Sequence, residues 1–149
     1  MTRSRKPVRI VLDTNIFVSA LISRNGLPGR VLEAVKHQGL TLVTSTEQLD
    51  ELRALLSRER LAPYIRREEA EDLMRNLEAV GEVVTTDLPD VEVSPDPDDN
   101  RILGTAIAGR ADLIISGDKK HMLALGQVEG IPIVSVADAV DRLPVGGRS

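Results

Sequence analysis

Short apolar runs alternate along this chain with longer stretches in which apolar residues recur every three or four positions. The short runs predict buried strands, and the longer stretches predict amphipathic helices. The predicted strands are Val8–Leu12, Leu40–Val43, Glu82–Thr85, Leu113–Ser116 and Ile131–Val134. The predicted helices are Ile16–Leu21, Pro28–His37, Thr44 or Ser45 to Leu56, Arg67–Val80, Asp98 or Asp99 to Ala108, Lys119–Ala124 and one that Ser135 caps. This alternation predicts an α/β fold with a parallel sheet covered on both faces.

Length and composition narrow the fold and the chemistry. We expect residues 1–149 to form one domain without an internal repeat, with a basic N-terminal tail at 1–7 and a flexible C-terminal tail at 143–149. The absence of cysteine excludes disulfides, thiolate catalysis and sulfur-bound zinc, and two histidines are too few for a histidine-rich metal site. Any metal would therefore be held by oxygen, which favours Mg²⁺ or Mn²⁺.

Charge and hydropathy constrain the partners less strongly. The net charge of -4 does not point to nucleic acid, but it is compatible with nucleic-acid binding because bound metal would neutralise clustered acids. No stretch approaches the length of a membrane span, and the basic start of the chain lacks the apolar segment of a signal peptide. We therefore expect a cytoplasmic protein with no membrane association.

Carboxylates follow two of the predicted strands. Asp13 comes directly after the first strand, and Asp118 lies two residues beyond Ser116, which ends the fourth. In an open parallel sheet, ligands bind beyond the carboxyl ends of the strands, and acids gathered there favour a divalent cation. Two alternatives remain open. Asp13 caps the following helix, for which Asn15 is also a candidate, and Ser116, Gly117 and Asp118 form only a turn.

Three acids lie on the helix that follows the second strand. At 100° per residue, Asp50 points away from the leucine stripe of this helix, and Glu47 points mostly outward. Glu47 also has an explanation as part of a capping box with Thr44. Glu51 lies beside Leu55 at the edge of the buried face, so it can best reach inward while staying accessible.

The densest acidic run lies at residues 96–100, where the next long helix begins. Asp99 shares the inward face of Ile102 and Ala106, whereas Asp98 lies to one side. A carboxylate in the first turn is favoured by the helix dipole. We expect one of these two acids to cap the helix and Asp99 to ligate a cation, although the pattern alone does not choose between them.

Four segments together resemble the PIN domain family, and in particular its members in bacterial and archaeal toxin–antitoxin systems. They are Leu12-Asp13-Thr14-Asn15, Leu49-Asp50-Glu51-Leu52, Asp98-Asp99-Asn100-Arg101-Ile102-Leu103 and Ile115-Ser116-Gly117-Asp118. Any one motif is weak, but all four occur in the family's order across nearly the whole chain. The resemblance implies a three-layer α/β/α sandwich with a central parallel sheet.

The resemblance also implies a metal-dependent ribonuclease site. The family's acids fall on Asp13, Glu51, Asp99 and Asp118. Its polar helper residues fall on Asn15 and on Ser116, where many members have threonine. One or two Mg²⁺ or Mn²⁺ ions would bind the RNA phosphate, activate water and stabilise the leaving oxygen. We expect Asp13 to be the central ligand and Glu51 to orient or deprotonate the water.

Partners follow from the same resemblance. A toxin of this kind has RNA as its substrate and an antitoxin protein as its partner, and many PIN proteins form homodimers. Several cationic side chains near predicted loops are candidate phosphate contacts: Arg24, Arg30, Arg58, Arg60, Lys119 and Lys120. With only two aromatic residues in the chain, we expect base stacking to contribute little.

Two other functions remain open. The first is a PIN module that binds RNA without cleaving it, against which the four intact acids argue. The second is a metal-dependent phosphatase with Asp13 as the nucleophile, but the paired acid two residues later is replaced by Asn15. Cleavage of RNA with Mn²⁺, lost on chelation, would separate the first alternative from a nuclease.

Overall fold

Strands and helices alternate in the computed structural model, which describes residues 7–37 and 39–143. The strands are β1 (Arg9–Leu12), β2 (Thr41–Ser45), β3 (Glu82–Val84), β4 (Leu113–Ile115), β5 (Gln127–Val128) and β6 (Ile131–Val134). The helices are α1 (Thr14–Ile22), α2 (Leu27–His37), α3 (Thr46–Leu56), α4 (Arg67–Val80), α5 (Pro97–Ala108), α6 (Met122–Leu125) and α7 (Val136–Arg142). A 3₁₀ helix, Glu59–Leu61, follows α3.

The strands form one mostly parallel sheet in the order β3-β2-β1-β4-β6-β5. β5 runs antiparallel to β6, and the other pairings are parallel. The register of the two central strands aligns Leu12 of β1 with Ile115 of β4. The next residues, Asp13 and Ser116, therefore emerge side by side at the carboxyl edge of the sheet.

Helices cover both faces of the sheet, which confirms the predicted three-layer sandwich. Alternate residues of β1 point to opposite layers: Ile10 and Leu12 pack against one apolar cluster, and Val11 packs against the other. The first cluster includes residues of α1, α2, α3, α4 and α7, and the second includes residues of α5 and α6. Among the described residues, no helix has both the length and the apolar character to cross a membrane.

Most predicted elements are present with ends shifted by one or two residues, and two helices and one strand differ in ways that affect the site or the sheet. α5 begins at Pro97 because Asp96 is its N-cap, so neither Asp98 nor Asp99 opens the helix. α6 begins at Met122 because residues 119–121 are held in a turn by Asp118. The short strand β5 is not signalled by any apolar run, since it has two residues and forms a tight hairpin with β6.

Most of the two predicted tails lies outside the described residues. Residues 1–6 of the N-terminal tail and residues 144–149 of the C-terminal tail fall in this part. Leu143 is an exception to the prediction, because it is buried in the apolar cluster that includes α7. The C-terminal helix is therefore anchored through Leu143, one residue beyond its last turn.

Candidate active site

Asp13 and Ser116 are neighbours because β1 and β4 pair in register. The Asp13 amide donates to the Ile115 carbonyl at 2.9 Å, which extends the pairing one residue beyond the strand. The Ser116 hydroxyl donates to Asp13 Oδ2 at 2.8 Å and accepts from the Asp118 amide at 3.0 Å. Asp13 and Ser116 are both buried. Ser116 thus connects the first acid to the loop that carries the fourth.

Asp13 is also the N-cap of α1. Its Oδ1 accepts from the Asn15 amide at 3.4 Å, which is long for a hydrogen bond. Of the two cap candidates in the sequence, Asp13 therefore caps the helix, and the Asn15 side chain is left exposed. The capping hydrogen bond is weak and involves only one oxygen of Asp13. The carboxylate can therefore cap the helix and still contribute to the site.

Helix α3 presents Glu51 towards the first turn of α1. The Thr14 hydroxyl donates to Glu51 Oε1 at 3.2 Å. Asp50 is exposed, and Glu47 and Glu51 are half-buried. The helix begins after Ser45, whose hydroxyl accepts the capping hydrogen bond. Of the three acids on α3, Glu51 is the one with a hydrogen bond to the segment that follows β1.

Gln48 fixes α3 against the end of β1, a role beyond the capping-box spacing that Ser45 and Gln48 have in the sequence. Its side chain is 2% exposed, and its Nε2 donates to the Leu12 carbonyl at 2.6 Å and to Thr14 Oγ1 at 3.3 Å. Its Oε1 accepts from Thr44 Oγ1 at 2.7 Å. Because Thr14 accepts from Gln48, its own hydroxyl hydrogen is directed to Glu51.

Asp99 lies in the first turn of α5 and is held by the loop that precedes it. Asp99 is 7% exposed, and its Oδ2 accepts from the Ser94 hydroxyl at 2.9 Å. Asn100 makes two further bonds to the Ser94 backbone, each of 2.9 Å. Asp98 is exposed, and its amide donates to the capping Asp96. The structure thus turns Asp99 inward, as the helical pattern predicts, while Asp96 takes the capping role.

Asp118 closes the turn that follows β4. Its Oδ1 accepts from the backbone amides of Lys120 at 3.0 Å and His121 at 3.1 Å. The interpretation of this segment as a turn is therefore correct, but the turn uses only one of the two oxygens. Lys119 and Lys120 are exposed beside this acid.

The acids influence one another electrostatically. Burial raises the pKa values of the Asp13, Glu51 and Asp99 carboxyls, and the serine and threonine donors described above partly oppose this rise. Repulsion between the acids raises these pKa values further. The charges of Asp118 and Asp96 raise the pKa values of Asp13 and Asp99, and the charges of Asp13 and Asp96 raise the pKa of Glu51. Asp13 also acts on Asp99. Since such repulsion weakens with distance, the acids from four parts of the chain belong to one neighbourhood.

The donor set suits a divalent cation that prefers oxygen, although the acids lie in an open arrangement. Glu51 Oε2, Asp99 Oδ1 and Asp118 Oδ2 have no hydrogen-bond partner in the described part of the chain. No buried side-chain nitrogen or oxygen there lacks a partner, so these oxygens are open to solvent. Within residues 7–37 and 39–143, no three His, Asp or Glu side chains are close enough together to hold a metal ion. The chemistry of the donors therefore fits Mg²⁺ or Mn²⁺, but a closed coordination sphere is not formed.

An open groove of about 680 Å³ lies against Glu51. Its walls are α3, the segment that follows α3, the first turns of α5 and the Asn15 side chain. Arg101 of α5 lines the groove and lowers the pKa of Glu51, against the larger effect of burial. Arg58 and Arg60 line it as well. Arg101 is not among the phosphate contacts that the sequence predicts. In the sequence it follows the acidic run at residues 96–100, where only the acids were candidates for a role.

Arg24 and Arg30 lie elsewhere. They line a separate cavity of about 460 Å³ between α1, α2 and α4, where Arg24 contacts Glu69 at 2.5 Å. Arg24 follows the far end of α1, whose 9 residues place it about 13 Å along the helix axis from Asp13. The structure therefore does not bring these two predicted phosphate contacts together with the acids. Lys119 and Lys120, in contrast, flank Asp118.

The raised pKa of Glu51 leads to a prediction for stability without metal. A carboxyl whose pKa is raised by folding destabilises the fold when charged, and this cost disappears as the pH falls through the folded pKa towards the unfolded value of about 4.3. Glu51→Gln keeps an oxygen that can accept from Thr14 and removes the charge. We therefore expect the variant to melt at a higher temperature than the wild type at pH 7 in EDTA, and the difference to shrink towards pH 4.

The control for this prediction is Asp50→Asn, because Asp50 is the exposed neighbour on the same helix, where it forms an exposed ion pair with Arg53 at 3.4 Å. Thermal unfolding followed by circular dichroism gives both melting temperatures. A Glu51→Gln variant that melts below the wild type at pH 7, or that gains no more than Asp50→Asn, would contradict the electrostatic account.

Comparison with known proteins identifies the family. The model of the PIN domain matches residues 9–120, which include all four acids. An uncharacterized protein of Methanocaldococcus jannaschii is 32% identical over 114 residues, and the match covers 75% of this chain and 72% of that protein.

Solved structures share the fold at low sequence identity. VapBC2 from Rickettsia felis, bound to a DNA fragment from its promoter, matches with a TM-score of 0.58 and 16% identity, over 86% of this chain and 98% of that one. DNA-bound VapBC from Salmonella typhimurium matches with a TM-score of 0.56 and 18% identity, over 87% and 98%. From the family model and the archaeal relative, this chain belongs to the PIN domain family.

Proposed function

We propose that this protein is a metal-dependent endoribonuclease that hydrolyses RNA phosphodiester bonds. One observation carries the proposal: burial raises the pKa values of three acids at the carboxyl edge of the sheet, Asp13, Glu51 and Asp99, and repulsion from neighbouring acids raises them further. Keeping several such carboxylates charged together is costly unless a cation offsets their repulsion. Membership of the PIN domain family supports a nuclease as the general class of activity.

Asp13, Glu51, Asp99 and Asp118 are the residues that would hold one or two Mg²⁺ or Mn²⁺ ions. Such ions supply an activated water and stabilise the charge on the leaving oxygen. Asp13 lies at the end of the central strand and is repelled by Asp118, which suits it to a central ligand role. Ser116 would keep the Asp13 carboxylate oriented, since its hydroxyl donates to Oδ2.

Glu51 is our candidate for orienting the attacking water and accepting its proton. Thr14 holds Oε1 and leaves Oε2 open to solvent, so one oxygen is positioned while the other can contact water. A raised pKa brings this carboxyl closer to neutral pH and makes it a better base than an ordinary glutamate. Asn15 lies beside Glu51 in the same groove and is proposed as a polar contact to the substrate.

We further propose that the protein acts as the toxin of a toxin–antitoxin pair. The support is the likeness of the fold, over nearly the full length of the matched chains, to structures of VapBC complexes. An antitoxin protein is then the expected partner, with a homodimer as a possible assembly and the cytoplasm as the place of action. Co-purification with the product of a neighbouring gene would test the partner directly.

The proposed activity predicts metal-dependent cleavage of RNA. Purified protein should cut a mixed pool of labelled RNA in Mn²⁺ or Mg²⁺, stop in EDTA, and resume when excess Mn²⁺ is restored. The reason is that the four carboxylates alone do not activate water strongly at neutral pH, so the activity should require a bound metal ion. Denaturing gels give the cleavage rate. Cleavage that continues unchanged in EDTA would contradict the proposal.

A second candidate is a PIN module that binds RNA without cleaving it. The open arrangement of the acids favours it, since no three of the described acidic or histidine side chains are close enough together for an ion. In that case RNA would bind and remain intact with every metal tested. Electrophoresis of the bound RNA, recovered after a long incubation with Mn²⁺, separates the two functions.

A further inference from the structure

Arg58 and Arg60 line the groove beside Glu51. Arg58 and Arg60 are exposed, and their side chains make no ion pair or hydrogen bond with any of the residues that the structure describes. Other arginines are paired: Arg53, on the preceding helix α3, contacts Glu78 at 3.1 Å, and Arg9 contacts Glu82 at 2.6 Å. Arg58 and Arg60 therefore keep their guanidinium donors available for a ligand.

These two side chains project from an ordered segment. The Arg58 amide donates to the Leu55 carbonyl at 3.2 Å, and the Arg58 carbonyl accepts from the Leu61 amide at 3.0 Å. The Ile65 amide in turn bonds to Leu61, and Ile65 is 6% exposed. The turn is thus fixed to the end of α3 and to the core. Because this segment is already ordered, binding a ligand to it costs little conformational entropy.

The side chains that line the groove suit contacts to the phosphate backbone of a nucleic acid. The guanidinium group carries its donors in a planar fork that matches a phosphate, and it keeps its charge at any physiological pH. None of the described residues that line the groove is aromatic, so base stacking has no platform there. A strand bound in this groove would be recognised through its phosphates and with little dependence on sequence.

The distance to the acids sets the position of the contact. Arg58 follows Glu51 by seven residues, most of them in α3, which corresponds to about 10 Å along the helix axis. A stacked strand advances about 3.4 Å per nucleotide, so this distance is roughly three nucleotides. Arg101 also lines the groove, but it is engaged by Asp98.

We propose that Arg58 and Arg60 bind RNA phosphates about three nucleotides from the cleaved bond, on one side only. The inference rests on the proposed function, which supplies the RNA and the position of the cleaved bond. It adds a substrate subsite outside the acidic cluster. It also selects these two arginines over Arg24 and Arg30, which line another cavity.

The test compares two double variants of the full chain that remove the same charge. Arg58→Gln/Arg60→Gln removes the proposed subsite. Arg110→Gln/Arg142→Gln is the control, because both residues are exposed at the amino edge of the sheet, opposite the acids. RNA affinity is measured by fluorescence anisotropy in the Asp13→Asn background, and KM is measured in the wild-type background.

We expect the Arg58→Gln/Arg60→Gln variant to bind a long RNA roughly 10–50-fold more weakly at low salt, and the control to change less than about 3-fold. The slope of log Kd against log salt should fall by about 1.4, since each contact to a single strand contributes about 0.7. Affinity and slope equal to those of the control variant would overturn the proposal.

A series of RNAs extended by one to six nucleotides on either side of the cleaved bond locates the subsite. The penalty in KM should be small for short extensions and should rise once the RNA extends about three nucleotides in one direction. An equal penalty for every length, or for both directions, would overturn the proposed position. If the wild type cleaves no RNA at all, the proposed function fails, whereas the anisotropy measurement still decides whether the arginines bind RNA.

Discussion

Replacing Asp13 with asparagine should lower kcat/KM for the proposed RNA cleavage by roughly 10²–10⁴-fold, which corresponds to about 3–5 kcal/mol of transition-state stabilisation. The charge of Asp13 raises the pKa values of both Glu51 and Asp99, so Asp13 is coupled to two of the other proposed ligands. Asparagine keeps the size of the side chain and an oxygen that can accept from Ser116, but it removes the charge that a cation needs. Initial rates with Mn²⁺ on a labelled RNA measure the loss.

The matched control is again Asp50→Asn, which removes one charge from an exposed carboxylate close to the groove. We expect this variant to retain at least half of the wild-type rate. Far-UV circular dichroism and the melting temperature establish that both variants are folded. Wild-type activity in Asp13→Asn, after removal of contaminating nuclease by repeated purification, would exclude Asp13 as a required ligand. Equal losses in both variants would point to a general effect of charge.

The sheet could be predicted from the sequence because its central strands are buried on both faces. Residues 10–12 and 113–115 are all buried, so each strand stands out as a continuous apolar run. Helix α4 has the same bounds as the prediction, Arg67–Val80, because acids fill its first turn and Gly81 ends it. The hairpin strand β5 lacks such a run, since only one of its two residues is buried.

Helical periodicity predicted the orientation of the candidate acids, but it did not predict the hydrogen-bond donors that hold their carboxylates. The inward directions of Glu51 and Asp99 follow from their positions relative to the apolar stripes of α3 and α5. The residues that bind these acids, Thr14 and Ser94, are far from them in sequence or lie in an irregular loop. Hydrogen bonds between side chains across such distances leave no periodic pattern, so single-sequence reasoning cannot find them.

The sequence does not distinguish between the candidate cations for a related reason. Arg24 and Arg58 look alike in the sequence, since both are basic and both follow a helix. In the fold, Arg24 is paired with Glu69 in a cavity between helices, whereas Arg58, in the groove beside Glu51, has no ion-pair partner within residues 7–37 and 39–143. Which cation meets an acid of its own chain depends on the packing of α1 against α4. Charge patterns along the chain carry no information about that contact.

Gln48→Ala should lower the free energy of unfolding by about 3–4 kcal/mol. The fully buried side chain bridges β1 and α3, and its loss leaves the Leu12 carbonyl and the Thr44 hydroxyl without their partner. The unpaired groups cost about 1–3 kcal/mol, and the cavity adds to this. For a domain of this size the melting temperature should fall by roughly 6–16 °C. Glu47→Ala, at the preceding and more exposed position, should cost less than about 1 kcal/mol.

A second substitution separates the hydrogen bonds from the volume. Gln48→Met fills nearly the same space but cannot donate to Leu12 or Thr14, so it should recover the cavity part of the loss and none of the polar part. Without the donor from Gln48, the Thr14 hydroxyl is no longer committed to Glu51. We therefore expect Gln48→Met to reduce kcat by roughly 10-fold at a temperature where it is fully folded, with KM for RNA little changed. A variant with wild-type kcat would mean that Gln48 supports only the fold, and that Glu51 is positioned without the chain of bonds that begins at Thr44.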